Sequence, residues 1–316
     1  MSTVAVGSIK GAPGVTTTVL AMAAVWPAAE PVLVAELDPD GGVLAARRGL
    51  GFEPGLVSLV AALLRGTGDA GAHTQPLNDG AARALVAPSA AEQVRVSLAA
   101  AGGALWPALS AAYDGNVLID CGRLSAASAT VGVASEADTA LIVARPRLED
   151  VALARDQVPA LRQVDVDPLI VLTDDGPYRT DDVADALGAP VVARLPIDRR
   201  AADALNGVGA HPRLAHSRLL RSVRHLLADL RERPSERRPT AKSDRPVVHG
   251  DCPAASDASA FGSEPDATRT RNRGQEPGTA GRPVHGRTHT AADMPVRSDR
   301  PIMAPPRWHN PEMGTP

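Results

Sequence analysis

The sequence predicts an α/β fold: a mainly parallel sheet of about seven strands with helices on both faces. Three observations carry this reading. Seven short apolar runs, rich in branched residues, are spread over residues 3–195, and continuous apolar character marks strands buried on both faces. The segments between them are long enough for crossover helices, as parallel neighbours require. The first run leads through a glycine-bearing loop directly into a helical pattern. In that context backbone amides and a helix N-terminus can cradle anionic oxygens.

The chain has 316 residues, 44 % of them hydrophobic, which is enough for one large or two small domains. Only 2 % are aromatic, so alanine and valine must carry the core. A net charge of −3 gives no global pull toward nucleic acid. Cys121 and Cys252 lie far apart in different kinds of segment. They imply neither a disulfide framework nor a metal site, and a reducing compartment is the expectation. No run approaches ~18 consecutive apolar residues and no signal-peptide pattern opens the chain. A soluble cytoplasmic protein is therefore expected.

Taken in order, residues 3–9 form the first strand, and Lys10-Gly11-Ala12-Pro13-Gly14-Val15-Thr16-Thr17 the loop. Residues 18–26 then read as a helix halted by Pro27. Further strands are expected at 31–37, 83–87, 116–120, 139–144, 168–173 and 190–195, with a crossover helix over 149–161. A last helix is expected over 213–231. There Leu219, Leu220, Val223, Leu226, Leu227 and Leu230 share an arc of about 120° at the helical period, and Arg218, Arg221, Arg224 and His225 fall elsewhere. Beyond Arg231 the sequence turns to Pro, Arg, Asp, Ser, Gly and Thr without apolar period. We read 1–231 as one domain and 232–316 as a disordered tail.

Ligands of parallel sheets bind beyond the carboxyl ends of strands. The first strand delivers Gly11, Gly14 and Thr16, a threonine at the mouth of a helix that can ligate Mg²⁺. The second delivers Glu36-Leu37-Asp38-Pro39-Asp40, which is either a polar turn or a carboxylate set beside a phosphate and its metal. The fourth ends in Asp120-Cys121-Gly122, where an aspartate closing an apolar strand can hold Mg²⁺ through water. Cys121 reads as a small buried side chain, because no base lies near it in sequence.

These residues resemble the deviant Walker A family of P-loop ATPases, the ParA/MinD family. Its loop usually reads K-G-G-x-G-K-T-T. Lys10 matches the signature lysine, Gly11 and Gly14 the glycines, Thr16 the Mg²⁺ ligand and Thr17 a phosphate contact. Val15 stands where the P-loop lysine belongs, an absence shared with some relatives of the TadZ/CpaE type that position pilus machinery. Asp38 matches the aspartate that orients the attacking water, with Glu36 and Asp40 replacing an aspartate and a glutamine of that segment. Asp120, after Tyr113-Asp114, matches the Walker B element. Leu195-Pro196-Ile197-Asp198 resembles the loop framing the adenine, which implicates Pro196 and Asp198. The family asparagine after the sixth strand is replaced by Thr173-Asp174-Asp175. The likeness spans about residues 3–230.

The resemblance implies ATP and Mg²⁺ as cofactors, a homodimer, and an unknown cargo or adaptor protein as partner. It implies partitioning or positioning of a chromosome, plasmid, or pilus or secretion assembly. Losing one positioned charged donor costs on the order of 3 kcal/mol, near 10²-fold in rate, so hydrolysis is expected to be weak or absent. Lys10, the family's trans-acting lysine, joins Asp38 as a candidate catalytic residue. The basic face of the last helix admits three readings: a solvated cover, a DNA-facing patch at the nucleoid, or an in-plane membrane helix. Two other functions compete, an adaptor that keeps the fold without nucleotide, and a biosynthetic enzyme of the dethiobiotin-synthase or cobyrinate-amidase kind. The latter needs the intact lysine.

Overall fold

The computed structural model describes residues 2–11, 14–77, 82–174 and 176–233. The tail read as disordered, with Cys252, lies outside the described residues apart from Glu232 and Arg233, and so does Asp175. Among the described residues, eight strands form one sheet: β1 (Ser2–Ser8), β2 (Val32–Glu36), β3 (Gln75–Pro76), β4 (Ala82–Leu85), β5 (Asn116–Arg123), β6 (Thr139–Ala144), β7 (Pro168–Thr173) and β8 (Val191–Leu195). Their order is β3-β4-β2-β5-β1-β6-β7-β8. Every pair is parallel except β3–β4. The sequence expectation of seven strands misses β3, two residues including a proline that hold the sheet edge, where a missing N–H is tolerated.

Among the described residues, ten α-helices wrap the sheet: α1 (Val15–Val25), α2 (Leu44–Arg48), α3 (Leu56–Leu64), α4 (Ala91–Ala101), α5 (Leu105–Ala111), α6 (Val131–Glu136), α7 (Leu148–Arg162), α8 (Thr180–Leu187), α9 (Arg199–Leu205) and α10 (Arg218–Glu232). Strand alternation sorts them into two layers. Val4, Val6, Val34, Leu118 and Leu141 face a core shared with α1, α2, α9 and α10. Ala5, Leu33, Ile119 and Ile142 face the opposite core with α3 to α8. Both cores are built mainly from aliphatic side chains, as the scarcity of aromatics requires.

The last helix begins at Arg218, five residues later than the expected start at Arg213. Ser217 caps it, accepting from the Leu220 N–H at 3.2 Å, a stop that separates α10 from the 3-10 turn Leu214–His216. All six predicted apolar residues of α10 are buried, and Arg218, Arg221, Arg224 and His225 are exposed. The stretch Ala91–Gly115 is long and apolar enough to cross a membrane by length and composition alone. It is not one helix: Gly102, at φ 48°, separates α4 from a turn that leads into α5, and Leu98, Leu105 and Leu109 pack into the core.

Candidate functional site

The parallel strands end along one edge, so the loops after β1, β2 and β5 meet there. Registers bring the parts together: Glu36 lies opposite Asp120 across β2–β5, and Val6 opposite Asp120 across β1–β5. Past Val6 the β1–β5 register slips, and Ser8 pairs with Arg123. Within the slipped segment Gly122 takes φ 58°, a left-handed conformation in which glycine carries no penalty.

The loop after β1 runs into α1 through Gly14, whose φ of 98° and ψ of 33° turn the chain into the helix. The first helical bond runs from the Thr18 N–H to the Gly14 carbonyl at 2.8 Å. The amides of Val15, Thr16 and Thr17 therefore have no acceptor within the helix. Val15 itself is only 6 % exposed and packs in the core with Val19 and Leu44. Its side chain belongs to the interior and leaves only its backbone N–H to offer a ligand.

Asp120 is 1 % exposed. Its Oδ1 accepts the Gly122 N–H at 3.0 Å, and its Oδ2 has no hydrogen-bond partner. Burial pushes its carboxyl up to about 7, with the negative charges of Glu36 and Asp38 adding to the rise. The Thr16 hydroxyl and the Gly122 amide act in the opposite direction. Asp38 sits across Gly122: a β-carbon there would stand 2.1 Å from the Asp38 carboxyl carbon. Burial also raises Asp38, tempered by the Asp40 amide, 2.9 Å from its Oδ1, and by the charge of Arg123. Thr16, Asp38 and Asp120 are thus brought to one place.

Glu36 has another role. Its Oε1 accepts from the Val43 and Leu44 amides at 2.6 and 2.9 Å, and its Oε2 from Ala87 at 2.9 Å. It caps α2, which has no side-chain cap of its own, and ties it to the chain after β4. Despite these bonds, burial leaves its carboxyl above the ordinary value. The structure makes this carboxylate a clamp on the backbone beside the site.

Thr17 accepts from the side-chain amide of Asn206 at 3.1 Å, a partner without any sequence signal. Lys10 is drawn the other way: its ammonium lies 3.8 Å from Asp150 on α7, and its side chain is 47 % exposed. It borders a cleft of about 570 Å³ with Ile9, Arg123, Ser125, Leu153 and Gln157. Asp198 caps α9 through the Ala201 amide at 3.1 Å, and half-buried Pro196 precedes it. Asp174, within the Thr173-Asp174-Asp175 stretch that stands in place of the family asparagine, is paired with Arg147 at 2.7 Å. Cys121 is fully buried, and burial pushes its thiol far up, which makes it inert.

The buried Asp120 carboxyl beside Thr16, with its unpartnered Oδ2, fits a hydrated Mg²⁺, and the first-turn amides of α1 fit phosphate oxygens. Among the described residues no three His, Cys, Asp or Glu side chains cluster so as to hold an ion. Phosphate oxygens and water would have to complete the shell. The position that does not fit is Val15.

No protein-family model matches the sequence, and no curated protein does. Solved structures do resemble the fold. The cell division ATPase MinD of Pyrococcus furiosus is 18 % identical with a TM-score of 0.58, over 73 % of this chain and 100 % of that one. A ParA family ATPase from Chlorobium tepidum TLS is 18 % identical with a TM-score of 0.56, over 72 % and 98 %. The septum site-determining protein MinD of Pyrococcus horikoshii OT3, complexed with Mg-ADP, is 16 % identical with a TM-score of 0.55, over 73 % and 97 %.

Proposed function

From a chain with the fold of ParA- and MinD-type ATPases, we propose a protein that binds ATP with Mg²⁺ and acts as a nucleotide-dependent dimer. Its task is to position a cellular cargo such as a chromosome, a plasmid, or a pilus or secretion assembly. The observation that carries the nucleotide reading is Asp120: a buried carboxylate with one bare oxygen, next to Thr16 and the unpaired first turn of α1. A buried polar atom without a partner costs stability unless a ligand satisfies it. The complex of one similar structure with Mg-ADP supports the same reading.

In this reading Thr16 and Asp120 hold Mg²⁺, Asp120 through water, and Asp38 orients a water near the terminal phosphate. The amides from Val15 to Thr17 bind phosphate oxygens, and the Pro196–Asp198 turn frames the base. Bound Mg²⁺ neutralises phosphate charge. Val15 supplies no charge at its position, so hydrolysis is slow or absent. Half-exposed Lys10 reaches across the dimer. The exposed arginines of α10 are the candidate contact with DNA or an anionic membrane, surfaces that co-sedimentation with and without ATP separates.

Calorimetry tests the reading. Mg·ATP is expected to bind the full chain, to need Mg²⁺, and to shift it to a dimer that Lys10→Ala abolishes. An absence of binding heat at millimolar Mg·ATP, with Lys10→Ala behaving as wild type, overturns it and leaves an adaptor on the same fold.

A further inference from the structure

Val15 removes a cation from the phosphate loop, yet the strand tips gather carboxylates. Glu36, Asp38 and Asp120 stand together there, and a bound triphosphate would add several more negative charges. Two cations border the loop. Lys10 leans toward Asp150 on α7. Arg123 does not lean away.

Arg123 is the last residue of β5, fixed by register beside Ser8, the residue at which β1 opens into the loop. The Leu124 N–H donates to the Ser8 carbonyl at 2.9 Å and locks this placement. The Arg123 side chain is exposed. Its Nη2 lies against the loop, 3.2 Å from where a β-carbon on Gly11 would stand. The absence of that β-carbon gives the guanidinium its room. Among the described residues this guanidinium forms no hydrogen bond or ion pair. It also lines the cleft next to Lys10. Its one acidic neighbour is Asp38, which feels its charge without a hydrogen bond or ion pair to it, so a long cationic side chain against the loop backbone stays available to an anion. A guanidinium suits phosphate oxygens through its fork of N–H donors.

We propose that Arg123 supplies, from the tip of β5, the positive charge on the nucleotide phosphates that Val15 does not. This rests on the nucleotide reading above. Arg123 is a phosphate-binding residue in this assignment, and it explains how a chain without the loop lysine could keep affinity for ATP.

The test is calorimetry of Mg·ATP on the full chain, wild type and Arg123→Gln, over a series of salt concentrations, with thermal melts of both. Wild type is expected to bind. The variant should bind roughly 10- to 100-fold more weakly, as loss of a charged hydrogen bond does, with a shallower salt dependence and an unchanged melt. Unchanged affinity overturns the proposal, and so does a loss that keeps the wild-type salt slope. If wild type itself does not bind, the nucleotide reading fails and this proposal with it. A binding wild type with an indifferent Arg123→Gln removes the proposal alone.

Discussion

The side-chain amide of Asn206 donates to the Thr17 hydroxyl at 3.1 Å, joining residues 189 apart in sequence. The amide's orientation is dictated by its other partners. Its Oδ1 accepts from Arg47 at 2.7 Å, and its Nδ2 also faces the Ala202 carbonyl at 2.8 Å, which can only accept. Thr17 Oγ1 is therefore an acceptor toward Asn206, and its own proton is free to point at a ligand.

Asn206→Asp should reverse that polarity with almost no change in shape. Arg47 keeps an acceptor, the bond to the Ala202 carbonyl is lost at some cost in stability, and the Thr17 proton is drawn to the new carboxylate and no longer serves a phosphate. Expected is a loss of about 1.5 kcal/mol in Mg·ATP affinity, roughly tenfold, with Thr17→Val in the same background adding little. Calorimetry on the two single variants and the double checks this. An additive double variant would show that the two side chains do not act on nucleotide together.

Asp120 links protonation to folding. Its carboxyl titrates at about 7 in the fold, against an ordinary value of 3.8. Between those values the folded state holds a proton that the unfolded state has released, so stability falls as pH rises through the window and levels off above it. Three units correspond to about 4 kcal/mol at most. The variant Asp120→Asn keeps the Gly122 bond and has no charge to bury. Urea melts of the ligand-free protein at pH 5 and pH 8 should show wild type losing stability relative to Asp120→Asn as pH rises. A difference between the two proteins that does not change with pH would contradict the burial argument.

The sheet was legible because most of its parallel strands are short aliphatic runs, whereas the comparable apolar stretches of α1 and α3 are longer. Asp120 was legible for the same reason, as a carboxylate closing such a run. The rest depended on contacts that no local pattern encodes. Glu36 reads as a displaced site acid, yet its role comes from the Val43, Leu44 and Ala87 amides that the fold brings around it. Val15 reads as a vacancy in the loop, and only the docking of α1 on the sheet reveals its side chain as core. Asn206 and Arg123 reach the loop from the end of α9 and from β5, respectively. The start of α10 had a local signal: Ser217 stands two residues before the first buried leucines, a capping position.

Glu36→Gln measures the clamp. A carboxylate accepts all three amides, whereas a glutamine must turn its NH₂ toward at least one N–H donor. Losing one such bond and burying an unmatched pair costs about 2 kcal/mol, or roughly 4–8 °C in Tm for a domain of this size. Thermal melting checks it. An unshifted melt would mean that α2 is held in place without Glu36.

Gly122 is the spacer between the two site aspartates, and two separate costs meet on it. Its φ of 58° is left-handed, and a β-carbon would also run into the Asp38 carboxyl group at 2.1 Å. Gly49 separates the two effects: its φ is 64°, but a β-carbon there meets nothing within 4 Å. Gly49→Ala should therefore lose only the backbone term, about 1 kcal/mol. Gly122→Ala should lose that and also displace Asp38, lowering Tm further. Because Asp38 is the residue that moves, Gly122→Ala should abolish any ATP-dependent dimerisation or residual hydrolysis, with Gly49→Ala retaining both. Melting curves and sedimentation with Mg·ATP on the two variants decide it. If both variants behave alike in the two assays, Asp38 is not held against the tip of β5 in the way its contact with Gly122 requires.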